Sequence, residues 1–212
     1  MRIKAALVAV VAFGVFVALG IVVSRQGESA ALLGLERSLV DHGTLVAWWL
    51  TWACYPKLLA PLAVLLLVLA WRFPAWRGRI VFSIVMLLLC WQGADLFQHL
   101  FVRPRRLDWV VKHETSFSYP SSHATIAAGF YALWAFMLYK SEAPRSMRAI
   151  AGSLLVILAI AICWSRLALG AHFVTDLIGG ALLGLALVSA GLAVVPGVLG
   201  GAVAGRPSGT AE

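Results

Sequence analysis

The chain has 212 residues, 62% of them hydrophobic and 12% charged, with a mean hydropathy of +0.92. A soluble domain is about half apolar and carries about 25% charged residues, so this composition excludes an ordinary soluble protein and indicates an integral membrane one. The net charge of +8 does not indicate nucleic acid, because the arginines sit in short loops between apolar stretches, with no basic run interleaved with aromatics.

Residues 5–23 carry no charge and are long enough to cross about 30 Å of hydrocarbon as a helix. They read as a retained first span rather than a cleaved leader, since the stretch is long for a leader and nothing soluble follows. Residues 24–43 are polar and mixed in charge. There, Leu32, Leu33, Leu35 and Leu39 are spaced as on an amphipathic helix lying on the membrane surface. Further spans are predicted at 45–71, 80–102, 122–139, 149–169 and 173–195, giving an all-α membrane bundle of about six helices. The 45–71 stretch is overlong and broken by Pro56, Lys57 and Pro61, so part of it is expected along the interface. One domain is expected over 1–204, followed by a disordered tail at 205–212.

Cys54, Cys90 and Cys163 lie far apart in apolar segments and read as inert thiols rather than metal ligands. Gly180 and Gly184 form a small-xxx-small face suited to helix packing. The tryptophans near span ends read as an interfacial belt. With the N-terminus inside, the 17 lysines and arginines divide nine to eight, so a raw count does not orient the chain. If the outward cluster of Arg103, Arg105, Arg106 and Arg166 belongs to a site, the remainder favours an N-terminus in the cytoplasm.

Three loop-to-span junctions hold most of the unusual polar residues, and this topology puts all three on one membrane side. The first carries Asp95, Gln98, His99, Arg103, Arg105 and Arg106; the second is Pro120-Ser121-Ser122-His123. The third is "SRLALGAHFVTD", from Ser165-Arg166 to His172 and Asp176. Ionisable groups at membrane depth are functional candidates by default.

The chemistry these residues suit is that of phosphate. Arginine forks match phosphate oxygens and stay charged at any working pH. A helix opening after Pro120 offers free amides and a positive dipole end. Two histidines can serve as nucleophile and general acid. A carboxylate four residues after His172 shares its helical face and can fix the imidazole tautomer. Bland readings stand beside these: Asp176 as an ordinary first-turn acid, Asp95 and His99 as a surface pair, Arg106 as a headgroup contact, and His42 and His113 as structural.

"SRLALGAHFVTD" fits SRxxxxxHxxxD at every fixed position, and "PSSH" fits three of the four places in PSGH. Together they resemble the type-2 phosphatidic acid phosphatase superfamily, in its membrane lipid phosphatase branch. The resemblance implies that His172 attacks phosphorus, Asp176 orients it, and His123 protonates the leaving oxygen. It implies that Arg166 and a first-motif arginine clamp the phosphoryl group, helped by Ser121 and the amide of Ser122, with no metal or other cofactor.

Two departures are visible. Ser122 replaces the family glycine, and the first motif, usually KxxxxxxRP, is altered. One register puts Gln98 at the lysine, Arg105 at the arginine and Arg106 at the proline. The other keeps Arg103-Pro104 but puts Leu96 at the lysine. The first is preferred because Gln98 can still donate a hydrogen bond, and Lys112 or His113 would offset the lost charge.

The implied substrate is a lipid phosphate or diphosphate, with undecaprenyl diphosphate favoured over phosphatidylglycerol phosphate, phosphatidic acid and lipid A. The implied location is a bacterial inner membrane, with the site facing the periplasm. Phosphotransfer to another lipid, or a degenerate binding or transport protein, are the rival readings.

Overall fold

In the computed structural model, residues 2–41, 43–106 and 115–199 are described, and among them all regular secondary structure is helical. The first helix, α1 (Arg2–Gln26), spans about 37 Å at 1.5 Å per residue. A short helix, α2 (Ala30–Leu39), follows, capped by the Ser29 hydroxyl. Helices α3 (Thr44–Thr51) and α4 (Pro56–Arg72) meet at a 47° bend. The long α5 (Arg77–Phe101), α8 (Arg145–Ala168) and α9 (Val174–Val194) complete the frame with the interrupted helix described next.

Residues 122–139 are helical but not uniform. α6 (Ser122–Ile126) passes into a π turn, Ala127–Tyr131, and then α7 (Ala132–Tyr139). Among the described residues, four helices are long and apolar enough to span a membrane, and five if the bent α3–α4 pair counts as one. The expected six is therefore not reached by length and composition alone, and the 122–139 helix, split by its π turn, is the difference.

The surface is inverted relative to a soluble protein. Large apolar side chains such as Val10, Leu100, Ile150 and Ile160 are exposed, whereas Arg103, Arg106, Arg166, His123, His172 and Asp176 are buried. That arrangement suits a hydrocarbon solvent, which makes no demand for polar surface and requires backbone groups to be satisfied internally.

Packing at the site end is led by aromatic residues and glycines. Phe16 of α1 stacks on Tyr119 at 5.5 Å, and Tyr119 donates its hydroxyl hydrogen to the Phe16 carbonyl at 2.6 Å. Gly179 leaves room for the Tyr119 ring. A Cβ on Gly180 would lie 2.5 Å from the Ser121 carbonyl oxygen, and one on Gly184 2.6 Å from that of Thr125. The small-residue face thus does more than pack helices: it seats α9 directly on the loop that opens α6.

Candidate active site

The three junctions converge at one end of the bundle. α5 ends at Val102, which adopts the left-handed conformation (φ 50°) at the C-cap, an uncommon one for a β-branched residue. The chain then turns across the mouth of the bundle and carries three arginines to three different destinations.

Arg105 reaches His172. Its Nη1 lies 3.1 Å from His172 Nε2 and 3.0 Å from the Ala171 carbonyl, while its Nε and Nη2 bind the carbonyl and hydroxyl of Ser116. Arginine only donates, so Nε2 of His172 must accept. The other ring nitrogen, Nδ1, faces Asp176 Oδ2 at 3.3 Å and therefore carries the proton. The result is a neutral imidazole with its lone pair on Nε2. Burial, and then the Arg105 cation, push the His172 pKa down to about 4, against the opposing pull of Asp176.

Asp176 is fully buried, at the third position of α9. Its Oδ2 also accepts the Phe173 amide at 2.9 Å and the Ser118 hydroxyl. Its Oδ1 accepts Arg103 Nη1 at 2.6 Å. It is thus both a first-turn helix acid and the partner of His172, so the two sequence readings are compatible rather than exclusive.

Arg103 occupies a different role from Arg105. Its guanidinium lies among Asp176, the Thr175 hydroxyl at 2.8 Å and Glu28 at 3.5 Å, with a side chain 2% exposed, and stacks 4.2 Å over the Phe173 ring. With two carboxylates around it, its charge is balanced within the protein. Arg106 pairs with Glu36 at 3.0 Å, so it is not a headgroup contact at the surface. Arg105 thus meets the histidine, and Arg103 braces the aspartate behind it.

The second junction starts at Ser121, which N-caps α6 and gives its amide to the Asp176 carbonyl at 3.1 Å. Ser122 is the first residue of α6, and buried His123 follows. Gln98 donates to the Pro120 carbonyl at 2.9 Å, so its amide braces the Pro-Ser-Ser loop instead of pointing at a ligand. Arg166, near the end of α8 and 1% exposed, donates to the Thr51 hydroxyl at 2.6 Å, and its charge also lowers the His172 pKa.

Four site contacts come from elements the sequence reading assigned elsewhere. The α3–α4 bend, expected at the interface, presents Thr51 to Arg166 and places the Tyr55 ring edge-on to His123 at 5.4 Å. The segment read as a surface amphipathic helix supplies Glu28 and Glu36. Glu28 Oε2 accepts from Thr175 at 2.5 Å, and Glu36 Oε1 accepts the Val174 amide at 2.6 Å, so α2 straps over the start of α9. Desolvation holds the Glu36 pKa above the usual carboxylate value, opposed by the Val174 amide and Arg106. Only the mixed charge of residues 24–43 hinted at these partners.

Asp95 and His99 form an exposed pair at 3.9 Å, as the bland reading had it. Cys54 and Cys90 are buried free thiols and Cys163 is partly buried. Among the described residues, no group of three or more His, Cys, Asp or Glu is arranged to hold a metal ion. His42, Lys112, His113 and the 205–212 tail lie outside the described residues.

An arginine thus stands against one imidazole nitrogen of His172 and a buried aspartate against the other. Residues 98–198, which hold the second and third junctions and the first from Gln98 onward, match the model of the PAP2 superfamily. It is 44% identical over 80 residues to phosphatidylglycerophosphatase B of Bacillus subtilis strain 168, covering 35% of this chain and 37% of the relative. It is 35% identical over 103 residues to "Putative undecaprenyl-diphosphatase YbjG" of Escherichia coli K12, covering 48% and 47%. The chain thus spans less than half the length of these curated relatives.

The fold matches the crystal structure of the first transmembrane PAP2 type phosphatidylglycerolphosphate phosphatase from Bacillus subtilis. The TM-score is 0.69 and the identity 23%, over 85% of this chain and 92% of that one.

Proposed function

We propose that this protein hydrolyses the terminal phosphate of a membrane lipid phosphate or diphosphate through a phosphohistidine on His172. The observation that carries this reading is the line Arg105–His172–Asp176, which leaves a neutral imidazole with its lone pair on Nε2 beside a guanidinium. Nε2 attacks phosphorus, the P–N bond forms, and the P–O bond to the lipid breaks. The departing oxygen takes its proton from the His123 imidazolium. Asp176 stabilises the positive charge that develops on His172. Arg105 and Arg166, with Ser121 and the Ser122 amide at the start of α6, hold the phosphoryl oxygens as negative charge shifts among them. Water, deprotonated by the now neutral His123, then attacks phosphorus and the P–N bond breaks, releasing phosphate. The protein's own groups supply each proton and charge in this scheme, without a cofactor.

A site at the end of the bundle suits a substrate whose tail stays in lipid while its headgroup enters from the side. Undecaprenyl diphosphate and phosphatidylglycerol phosphate both offer a terminal phosphoryl group in this position, and the names of the relatives support both. The carrier-lipid diphosphate remains the first choice, and the same scheme releases phosphate from either.

The orientation proposed is a bacterial inner membrane with the site outside. The end opposite the site carries eight described lysines and arginines against one acid, Glu142, whereas Arg103 and Arg106 at the site end are matched by Glu28 and Glu36. Residues 1–204 are taken as one domain, because α1 packs along α9.

The test is phosphate release by purified protein across a panel of lipid phosphates and diphosphates, with chelator present and with vanadate as inhibitor. Turnover with at least one lipid, abolished in His172→Ala, is expected. Turnover that survives His172→Ala would contradict the mechanism, and dependence on a lipid acceptor would show phosphotransfer instead.

A further inference from the structure

At the end opposite the site, α1, α7, α9 and the turn Pro196–Leu199 enclose a cavity of about 880 Å³. Its walls are apolar, including Ala132, Leu133, Leu185 and Leu192, and its charged lining residues are Lys4 and Lys140. It opens toward the hydrocarbon, since Val8 and Leu185 on its edge are 42% and 46% exposed. Arg79 donates to the Leu199 carbonyl at 2.8 Å and so holds the closing turn in place. Its α9 lining begins at Leu185, about 17 Å along the helix from Val174, and its two lysines, at the start of α1 and the end of α7, lie farther still from His172.

We infer that this cavity is a second lipid site, which holds one anionic phospholipid of the adjoining leaflet. One acyl chain lies between α1, α7 and α9, and the headgroup phosphate sits between Lys4 and Lys140. The volume lies within the roughly 300–1,000 Å³ of small-ligand pockets. Charge complementarity selects the headgroup. The start of α1 carries Arg2 and Lys4, and the α7–α8 turn carries Lys140, Arg145 and Arg148 against Glu142 alone. Basic pockets between membrane helices select anionic headgroups in this way. A bound lipid would tie α1 to α9 at the end where no site residue joins them. This inference does not rest on the phosphatase reading.

The experiment is native mass spectrometry of the full-length detergent-purified protein after exposure to phosphatidylglycerol or phosphatidylcholine, with phosphate release measured in parallel. We expect phosphatidylglycerol to be retained and phosphatidylcholine not. Lys4→Gln with Lys140→Gln should weaken phosphatidylglycerol retention by about thirtyfold, the effect of two surface charges. Ala132→Trp, which fills the cavity, should abolish the same bound lipid while both lysines remain. All variants should keep wild-type phosphate release from a short-chain substrate.

Equal retention of both lipids would overturn the inference, as would phosphatidylglycerol retention unaffected by either variant. Retention that appears only after deletion of residues 205–212 would make that tail the occupant and overturn it too. Loss of phosphate release in wild type, with lipid retention intact, would count against the phosphatase reading alone.

Discussion

Arg105 and His172 face each other at 3.1 Å, with a guanidinium Nη1 on the imidazole Nε2 that Asp176 leaves unprotonated. This contact joins the first motif to the third and fixes which nitrogen can act on an electrophile. It also places, beside that nitrogen, the donor that an incoming phosphoryl oxygen would take over. Arg105→Ala is therefore expected to lower kcat by about 10²–10³. Arg105→Lys should recover little of it, since a point charge does not replace the fork. The measurement is steady-state phosphate release, and near-wild-type kcat in Arg105→Ala would return the phosphate role to Arg103.

Arg103 and Glu28 should behave differently. Their pairing braces Asp176 from behind, so Glu28→Gln is expected to lower kcat with little change in KM. It should also destabilise the fold by about 2 kcal/mol, typical of a lost hydrogen bond to a charged group. Glu28→Asp should recover part of the rate. A change in KM alone would place Glu28 on the substrate instead.

The pH profile follows from His172. In the proposed mechanism His172 attacks as the neutral imidazole, and its pKa is pushed down to about 4 in the folded protein from an ordinary 6.5. The acid limb of kcat/KM should therefore inflect near 4 rather than near 6.5. Removing the nearby cation in Arg105→Gln should move that limb upward. The linked stability has the same sign: it is present above pH 6.5 and lost as pH falls through about 4, because the unfolded chain binds the proton more readily in that window. An acid limb at 6.5 in wild type would contradict the buried neutral imidazole.

Ser122 and Gly180 separate two uses of the Pro-Ser-Ser-His loop. Ser122→Gly keeps the backbone amide and should retain activity within about twofold, with a small cost for glycine in the first turn of a helix. Lost activity would show that the hydroxyl has been recruited to the phosphate. Gly180→Ala pushes a methyl group toward the Ser121 carbonyl, so it should cost about 1–3 kcal/mol as overpacking and shift the loop that carries His123. Thermal unfolding in detergent and phosphate release together read out both variants.

Much of this site was legible in the sequence, because its two strongest motifs are local. "PSSH" lies on one turn and "SRLALGAHFVTD" on one short helix–turn–helix junction, where spacing brings His172 and Asp176 together. Gln98, on the last turn of α5, and Arg103 and Arg105, in the irregular run after it, are harder to assign, because no helical or strand period fixes where side chains at a helix end and in a coil point. The structure sends Gln98 to the Pro120 carbonyl, Arg103 to Asp176 and Arg105 to His172. Glu28 and Glu36 are not singled out by the sequence, since no periodicity marks which acid a distant arginine will meet. The proline break before α4 was visible, but what the bend delivers, Thr51 and Tyr55 against Arg166 and His123, depends on tertiary packing. The span count was blurred for a related reason: the π turn at Ala127–Tyr131 interrupts a stretch whose apolar pattern is continuous.

The most direct test of the account is to trap the covalent intermediate. Protein mixed with a lipid phosphate radiolabelled at phosphorus and quenched within a turnover should carry label on a histidine, and peptide mapping should place it on His172. His123→Ala, which slows hydrolysis of the P–N bond, should accumulate more label when the leaving group needs no proton. A wild-type enzyme that turns over with no label on His172, or with label on another residue, would contradict the account.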